Sequence, residues 1–343
     1  MVDYDISTQS GPRRRLPLAP HQMTQRITPA DDAIVLSHFG IASLSAERWA
    51  MTIDGMVARP QTFDLRALRQ FPWTTLEAVH HCAGNPFEPR APSRRVCNVQ
   101  WGGHRLVDVL ASCGPMPQAG YVWSFGTDGG VFDGVRVEAY GKDFPIDRLE
   151  EDVLLAVAMN GESLRRENGF PVRLVVPGFY GTNSVKWLTR MTLAATRIEN
   201  PFATRWYNDE VLDSAGHATG RSRPLWQLPP QSIIVGPAPQ TRVRRHQPVT
   251  VWGWTWADAG TSSVLIANED GTLHLPALVE PRRDRAWQKF EATWMPNCAG
   301  IVNLTARATD RNGDTQPHRG KRVSLRQRFR PDSELQRFGT RVE

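Results

Sequence analysis

Apolar and polar positions along this chain alternate or cluster in short runs, separated by Gly, Pro, Asn and Asp. Residues 135–140 (VRVEAY) and 185–193 (VKWLTRMTL) alternate with period two, which predicts half-buried strands. Residues 153–159 (VLLAVAM) and 170–177 (FPVRLVVP) are almost continuously apolar, which predicts buried strands. Asn160-Gly161 closes the first of these with a hairpin turn. Residues 73–79, 96–101 and 121–125 read as further strands, and 49–57 as strand, Asp54-Gly55 turn, strand. Two short helices are expected. One begins within 62–68, with Thr62 or Asp64 as N-cap, and the other spans 106–113 with apolar residues at 106, 109, 110 and 113. Near residue 200 the texture turns polar and Pro-rich. From 249 to 330 short strands are spaced by turns such as Asp270-Gly271, the pattern of an all-β sandwich. Trp252, Trp254 and Trp256 alternate there, so they share one face, which the sandwich core is expected to cover. Residues 1–30 are polar and Pro-rich, an arm lying on the surface or on a partner subunit. The expected class is α+β: the N-terminal arm (1–30), a mixed-sheet domain (31–200) and an all-β sandwich domain (201–335).

A length of 343 residues suffices for two domains, and 40% hydrophobic against 22% charged residues fits a soluble globular chain. The net charge of +6 is mild, and outside 321–330 the basic residues form no stripe. A small anion or phosphate-bearing cofactor is therefore expected as partner, and nucleic acid is not. Cysteines stand at 82, 97, 113 and 298, with no CxxC or CxxCH, so neither a zinc knuckle nor covalent haem is expected. Cys97 and Cys113 read as core thiols. Arg13-Arg14-Arg15 is followed by no apolar export core, and no run of 18 apolar residues occurs. No membrane span and a cytoplasmic location are expected.

Candidate chemistry centres on Val79-His80-His81-Cys82-Ala83-Gly84-Asn85-Pro86. Gly, Pro and Asn do not suit a helix interior, so Cys82 should end a strand on a turn whose backbone can approach a ligand. By itself this run leaves Cys82 as either a ligand or a buried structural thiol. A zinc site from His80, His81 and Cys82 lacks a fourth ligand at recognisable spacing. Arg90, Arg94 and Arg95, on or just past the loop 86–93, are either solvated charges or the lining of an anion site. Arg173 inside an apolar strand needs an anion, supplied by a ligand or by an internal carboxylate. His38 reads as a loop histidine whose role depends on what it faces. Asn297-Cys298-Ala299-Gly300 echoes the Cys82 run and reads as a turn.

Together these residues resemble the sulfite oxidase family of molybdopterin-dependent oxidoreductases, over roughly 30–335. Cys82-Ala83-Gly84-Asn85 resembles the family's cysteine loop. Gly169-Phe170-Pro171-Val172-Arg173, Val176-Pro177-Gly178 and Val185-Lys186-Trp187-Leu188 are similar to its molybdopterin-binding segment. Arg307-Ala308-Thr309-Asp310, with Gly313 and Gln316-Pro317, resembles the end of its immunoglobulin-like dimerisation domain. The resemblance implies molybdenum bound by the Cys82 thiolate and by the two dithiolene sulfurs of molybdopterin, soft donors suited to such a metal. It implies pterin contacts from His38, Asp128, Asn168, Arg173, Ser184, Val185 and Lys186, with the cofactor phosphate as partner of Arg173 and Lys186. Asn168 replaces the family's usual histidine. Tyr140, in Tyr-Gly-x-x-x-Pro, matches the family's active-site tyrosine, expected to orient substrate or the oxo ligand.

Two departures stand out. Phe87 and Leu36 occupy positions where the sulfite enzymes carry arginine, each worth about 1.5–3 kcal/mol toward an anion. Phe87, Arg90, Arg94 and Arg95 are thus candidate substrate residues, with the arginines able to compensate. The expectation is two-electron oxo transfer on a small molecule, either sulfite oxidation or reduction of an S- or N-oxide. No haem is expected in the chain, a separate protein would exchange electrons, and the second domain would form a homodimer. A non-catalytic cofactor-binding or assembly protein is the competing reading.

Overall fold

The computed structural model describes residues 13–15, 18–83, 95–213, 217–268, 271–316 and 338–342. Phe87, Arg90 and Arg94 lie outside the described residues, as do Gly84, Asn85, Pro86, Asp270, Pro317 and the basic run 321–330.

Strands dominate, with few and short helices among the described residues. β1 (Arg13–Arg15) pairs with β2 (Val35–Ser37). There follow β3 (Ala50–Gly55), β4 (Gln61–Asp64), β5 (Trp73–His81), β6 (Val96–Arg105), β7 (Tyr121–Gly126), β8 (Gly130–Phe132) and β9 (Val135–Val137). Next come β10 (Gly141–Pro145), β11 (Leu154–Met159), β12 (Glu162–Ser163), β13 (Arg173–Val175) and β14 (Leu188–Ala194). One sheet has the order β10-β7-β14-β3-β4, with β14 parallel to β3. A second runs β12-β11-β6-β5, with β13 added to β11. The short helices form where capping and periodicity placed them. α1 (Leu65–Leu68) is capped by Asp64, whose carboxylate accepts from Ala67 N–H at 2.7 Å. α2 (Leu106–Cys113) buries Leu106, Val109, Leu110 and Cys113, and stops at Gly114 with φ +67°. α3 (Pro201–Thr204) follows β14.

The chain forms two compact units: residues 1–16, 34–76 and 100–226 in the first, and 17–33, 77–99 and 227–343 in the second. This grouping interleaves segments that a linear division at residue 200 keeps apart. In the first unit β15 (Asn208–Leu212) pairs with β16 (Ala218–Pro224). In the second lie β17 (Gln231–Gly236), β18 (Arg242–Val243), β19 (Val249–Trp256), β20 (Thr261–Asn268), β21 (His274–Val279), β22 (Gln288–Trp294), β23 (Gly300–Asp310) and β24 (Phe338–Val342). Their order, β17-β19-β22-β21-β20-β23-β24-β18, is one continuous path. Ile234, Val251, Val264, Ile266, Phe290, Leu304 and Ala308 form its core, and each large side chain contributes about 1.5–3 kcal/mol by leaving water.

Four expectations change. Asp54-Gly55 is not a two-residue hairpin: β3 continues through Gly55, and β4 begins only at Gln61. Met56 N–H instead donates to Leu193 O, and a Cβ at Gly55 would lie 2.2 Å from that same oxygen. The glycine therefore serves close approach of β14 rather than a turn. Residues 185–187 are not strand, because Trp187 adopts φ +51° and β14 begins at Leu188. Trp254 and Trp256 are buried, but not in the core of this C-terminal β domain, which takes Val251 from the opposite face of β19. Trp254 stacks on Trp287 at 4.9 Å, and its Nε1–H donates to Met23 O. Residues 18–30 are accordingly no surface arm: Met23 and Thr28 are buried, and Arg26 O accepts from Asn98 Nδ2 and Trp287 Nε1.

Candidate functional site

In the first unit, loops at strand ends deliver seven of the expected residues to one place. His38 follows β2, Asp128 follows β7, and Asn168 ends the 3-10 turn Arg166–Asn168. Arg173 opens β13, and Ser184, Val185 and Lys186 lie between the 3-10 turn Gly181–Asn183 and β14. Glycines make the assembly possible. A Cβ at Gly126 would lie 2.6 Å from both Asp128 Oδ1 and Lys186 O. Gly169, at φ +106°, would place one 3.0 Å from Cβ of both Arg173 and Lys186.

Of the cations here Arg173 is buried and Lys186 half-buried, and both are bound largely to backbone. Arg173 Nη1 donates to Asn168 O (3.0 Å) and Nη2 to Ser184 O (2.9 Å), while the guanidinium lies 4.8 Å from the Trp101 ring centre. Lys186 Nζ donates to Leu36 O (2.9 Å) and Glu167 O (3.0 Å). Leu36 therefore contributes a carbonyl where an arginine side chain was expected by resemblance. Ser184 Oγ accepts from Val176 N–H, and Val185 O from Leu174 N–H. Burial, with the charge of Arg173, pushes the Lys186 amine down. Burial pushes the Asp128 carboxyl up, against the pull of Lys186. Asp128 Oδ1 and Asn168 Oδ1 are buried acceptors without a hydrogen bond among the described residues. Buried polar atoms are rarely left so, and each costs about 1–3 kcal/mol. A ligand with N–H donors and a negative group matches this set: donors for the two oxygens, negative charge for the two cations.

Next to this set, His38 is enclosed by rings. Phe132, Tyr140, Phe202 and Tyr207 have centroids at 4.9, 5.7, 4.8 and 5.9 Å. Burial, then the charges of Lys186 and Lys142, hold its imidazole down to about 3, so it is neutral at pH 7. Tyr140 differs from expectation. Its hydroxyl donates to Thr182 O at 2.8 Å and lies 2.6 Å from Thr182 Oγ1, so its one proton is already engaged. Lys142 is buried, donates to Phe202 O at 2.8 Å, and is pushed down to about 7 by burial, with Asp143 opposing and Arg197 adding.

In the second unit Cys82 follows β5, as its turn residues required. It is half-buried, forms no disulfide, and its N–H donates to Arg95 O at 2.9 Å. His81 is fully buried against Trp256, and burial pushes it down to about 3. Arg95 is buried rather than solvated. Among the described residues no three His, Cys, Asp or Glu side chains group to hold a metal, which leaves the zinc reading without a site. Cys97 and Cys113 are core thiols. No described helix is long and apolar enough to cross a membrane.

Residues 38–202 match the oxidoreductase molybdopterin binding domain. The chain is 26% identical to mitochondrial sulfite oxidase of Drosophila melanogaster over 332 residues, covering 87% of this chain and 56% of that protein. It is 28% identical to sulfite oxidase of Gallus gallus, covering 85% and 68%. The sulfane dehydrogenase SoxCD structure from Paracoccus pantotrophus superposes with TM-score 0.79 at 27% identity, covering 93% of this chain and 82% of that one. The chain belongs to the sulfite oxidase family. It spans little more than half the length of the Drosophila relative. Within this sulfite oxidase family member, sequence reasoning missed Lys142, Thr182 and Tyr207. Their partners stand at residues 202, 140 and 38, and no local pattern signals such meetings.

Proposed function

We propose that the chain is a molybdenum-cofactor-dependent oxidoreductase that transfers two electrons, with an oxygen atom, at a small sulfur-centred substrate. The carrying observation is the pairing of buried Arg173 and half-buried Lys186 with the open acceptors Asp128 Oδ1 and Asn168 Oδ1. A pterin offers ring N–H groups to the acceptors and a phosphate to the cations. Cys82 would hold the metal through its thiolate, and the bound molybdenum would supply the two-electron redox change. Neutral His38 would donate a hydrogen bond without adding charge, and the rings around it keep water away. Tyr140, held by Thr182, would fix the wall of the site rather than deliver its proton.

Relatives named for sulfite and sulfane chemistry support sulfur as the reacting atom, while nitrate reductases of Phaseolus vulgaris and Hordeum vulgare, 25% and 28% identical, make an N-oxide the second reading. Leu36 and Phe87 remove two cations expected of the sulfite enzymes, so the substrate carries less charge than sulfite. The test is steady-state turnover with artificial electron carriers, comparing sulfite with sulfane sulfur compounds, sulfoxides and N-oxides. The expected result is at least tenfold higher kcat/KM on a less charged sulfur compound; micromolar KM on sulfite would overturn the argument from Leu36 and Phe87. A separate redox protein as electron partner, a homodimer formed through an immunoglobulin-like C-terminal domain, and a cytoplasmic location complete the proposal. Sedimentation at the mass of one chain would contradict the dimer.

A further inference from the structure

On β19 and β22, four side chains that the cofactor site does not use form one patch. Trp252 and Trp254 alternate along β19, and Lys289 and Glu291 along β22, so each pair shares a face. The register sets Trp252 directly opposite Glu291 and Trp254 opposite Lys289. The two indoles meet at 83° with centroids 5.9 Å apart, two walls near a right angle. Trp254 is buried and fixed by Trp287 and Met23, while Trp252 is half-buried. Trp252 lies over Gly236, its direct neighbour on β17, where a Cβ would come within 2.4 Å of the indole Nε1. A side chain at 236 would push the ring from its place. Thr24, Pro237 and Thr250 complete a groove of about 480 Å³. Small-molecule sites are typically about 300–1,000 Å³.

This groove already holds a cation. Lys289 Nζ stands 5.8 Å from the Trp252 ring centre and 2.6 Å from Glu291 Oε2. An indole face attracts a cation within about 6 Å of its centre. Among the described residues, Lys289 is the one side chain that pairs with the Glu291 carboxylate. Both partners are half-buried, and ion pairs at the surface hold weakly. A lysine ammonium is compact and strongly hydrated, so it gives up water to sit on a ring. A quaternary ammonium has no N–H to desolvate and gains more from the same indole face. We propose that the groove between Trp252, Trp254 and Glu291 binds a small quaternary ammonium compound, whose cation takes the place of Lys289 Nζ. The ligand's charge faces the Glu291 carboxylate, and its methyl groups pack on the two indoles. The inference goes beyond the cofactor site and stands whether or not that site holds molybdopterin.

The full chain carrying nitrogen-15 tryptophan tests this by indole N–H correlation spectra during titration with choline chloride, with sodium chloride keeping the ionic strength constant. The Trp252 signal is found by its absence in Trp252→Phe, or, should that variant fail to fold, by through-space contact to the Gly236 α-protons. The expected result is a Trp252 shift that saturates, with Kd on the order of 1 mM. Lys289→Gln removes the internal cation and should tighten binding about three- to tenfold, while Glu291→Gln should weaken it by about the same factor. The neutral isostere 3,3-dimethylbutan-1-ol should bind about tenfold more weakly than choline. A Trp252 signal that does not saturate, Lys289→Gln binding no tighter than the parent, or an isostere that binds as well as choline overturns the proposal. A chain that sediments with pure phosphatidylcholine vesicles while free choline leaves the Trp252 signal in place also overturns it, in favour of a lipid surface.

Discussion

At the scale of single residues, the site stores buried charge, and this has a consequence in pH. Lys142 titrates at 10.5 when unfolded and about 7 when folded. Between those values the unfolded chain binds more protons, so stability rises with pH from about 7 to 10.5, by at most ~1.4 kcal/mol per pH unit. His38 falls from 6.5 to about 3, so its contribution is lost as pH drops through that window. The urea midpoint of the cofactor-free chain should therefore climb from pH 7 to pH 9, and Lys142→Met should flatten the climb. A midpoint that is flat or falling over that range in the parent would contradict the assignment. An arginine in an apolar run and a cysteine before Ala-Gly-Asn-Pro are locally anomalous, so Arg173 and Cys82 stood out in the sequence as candidates, whereas Lys186 entered through the family resemblance. Tyr207 did neither: its meaning comes from His38, and 169 residues separate the two.

At the scale of elements, glycines set the distances. Gly126 ends β7 with no room for a side chain between Asp128 and Lys186. Gly126→Ala should force that pair apart, destabilise the chain by about 1–3 kcal/mol, and lower cofactor occupancy more than it lowers the melting temperature. Occupancy equal to that of the parent would show that the glycine serves the strand alone. Elements with a strong pattern, such as the helical spacing of α2 and the continuously apolar run of β11, appeared where the pattern put them. The stretch 185–187 did not, although it alternates. Its carbonyls and Lys186 are spent on β13, the β2 carbonyl of Leu36, and Glu167, and a sheet ladder would have removed them from that work. The alternating tryptophans of β19 share a face as expected, but that face is covered by Met23 and Trp287, distant in sequence, rather than by the core of the C-terminal strands.

At the scale of the whole molecule, the two-part texture on either side of residue 200 was visible, yet the compact units interleave. Residues 17–33 and 77–99 join the C-terminal strands, and Cys82 goes with them. Linear composition carries no information about such exchanges, since each segment has its own turns and apolar run. In the proposed function this chain binds molybdenum through Cys82 and the pterin through Arg173 and Lys186. Molybdenum and released pterin, counted per chain after expression in cofactor-competent cells, test it most directly. Close to one of each is expected in the parent chain, with loss of molybdenum in Cys82→Ser and loss of both in the double variant Arg173→Ala, Lys186→Ala. A parent chain without molybdenum or pterin, or a Cys82→Ser chain that keeps its full metal content, would contradict it.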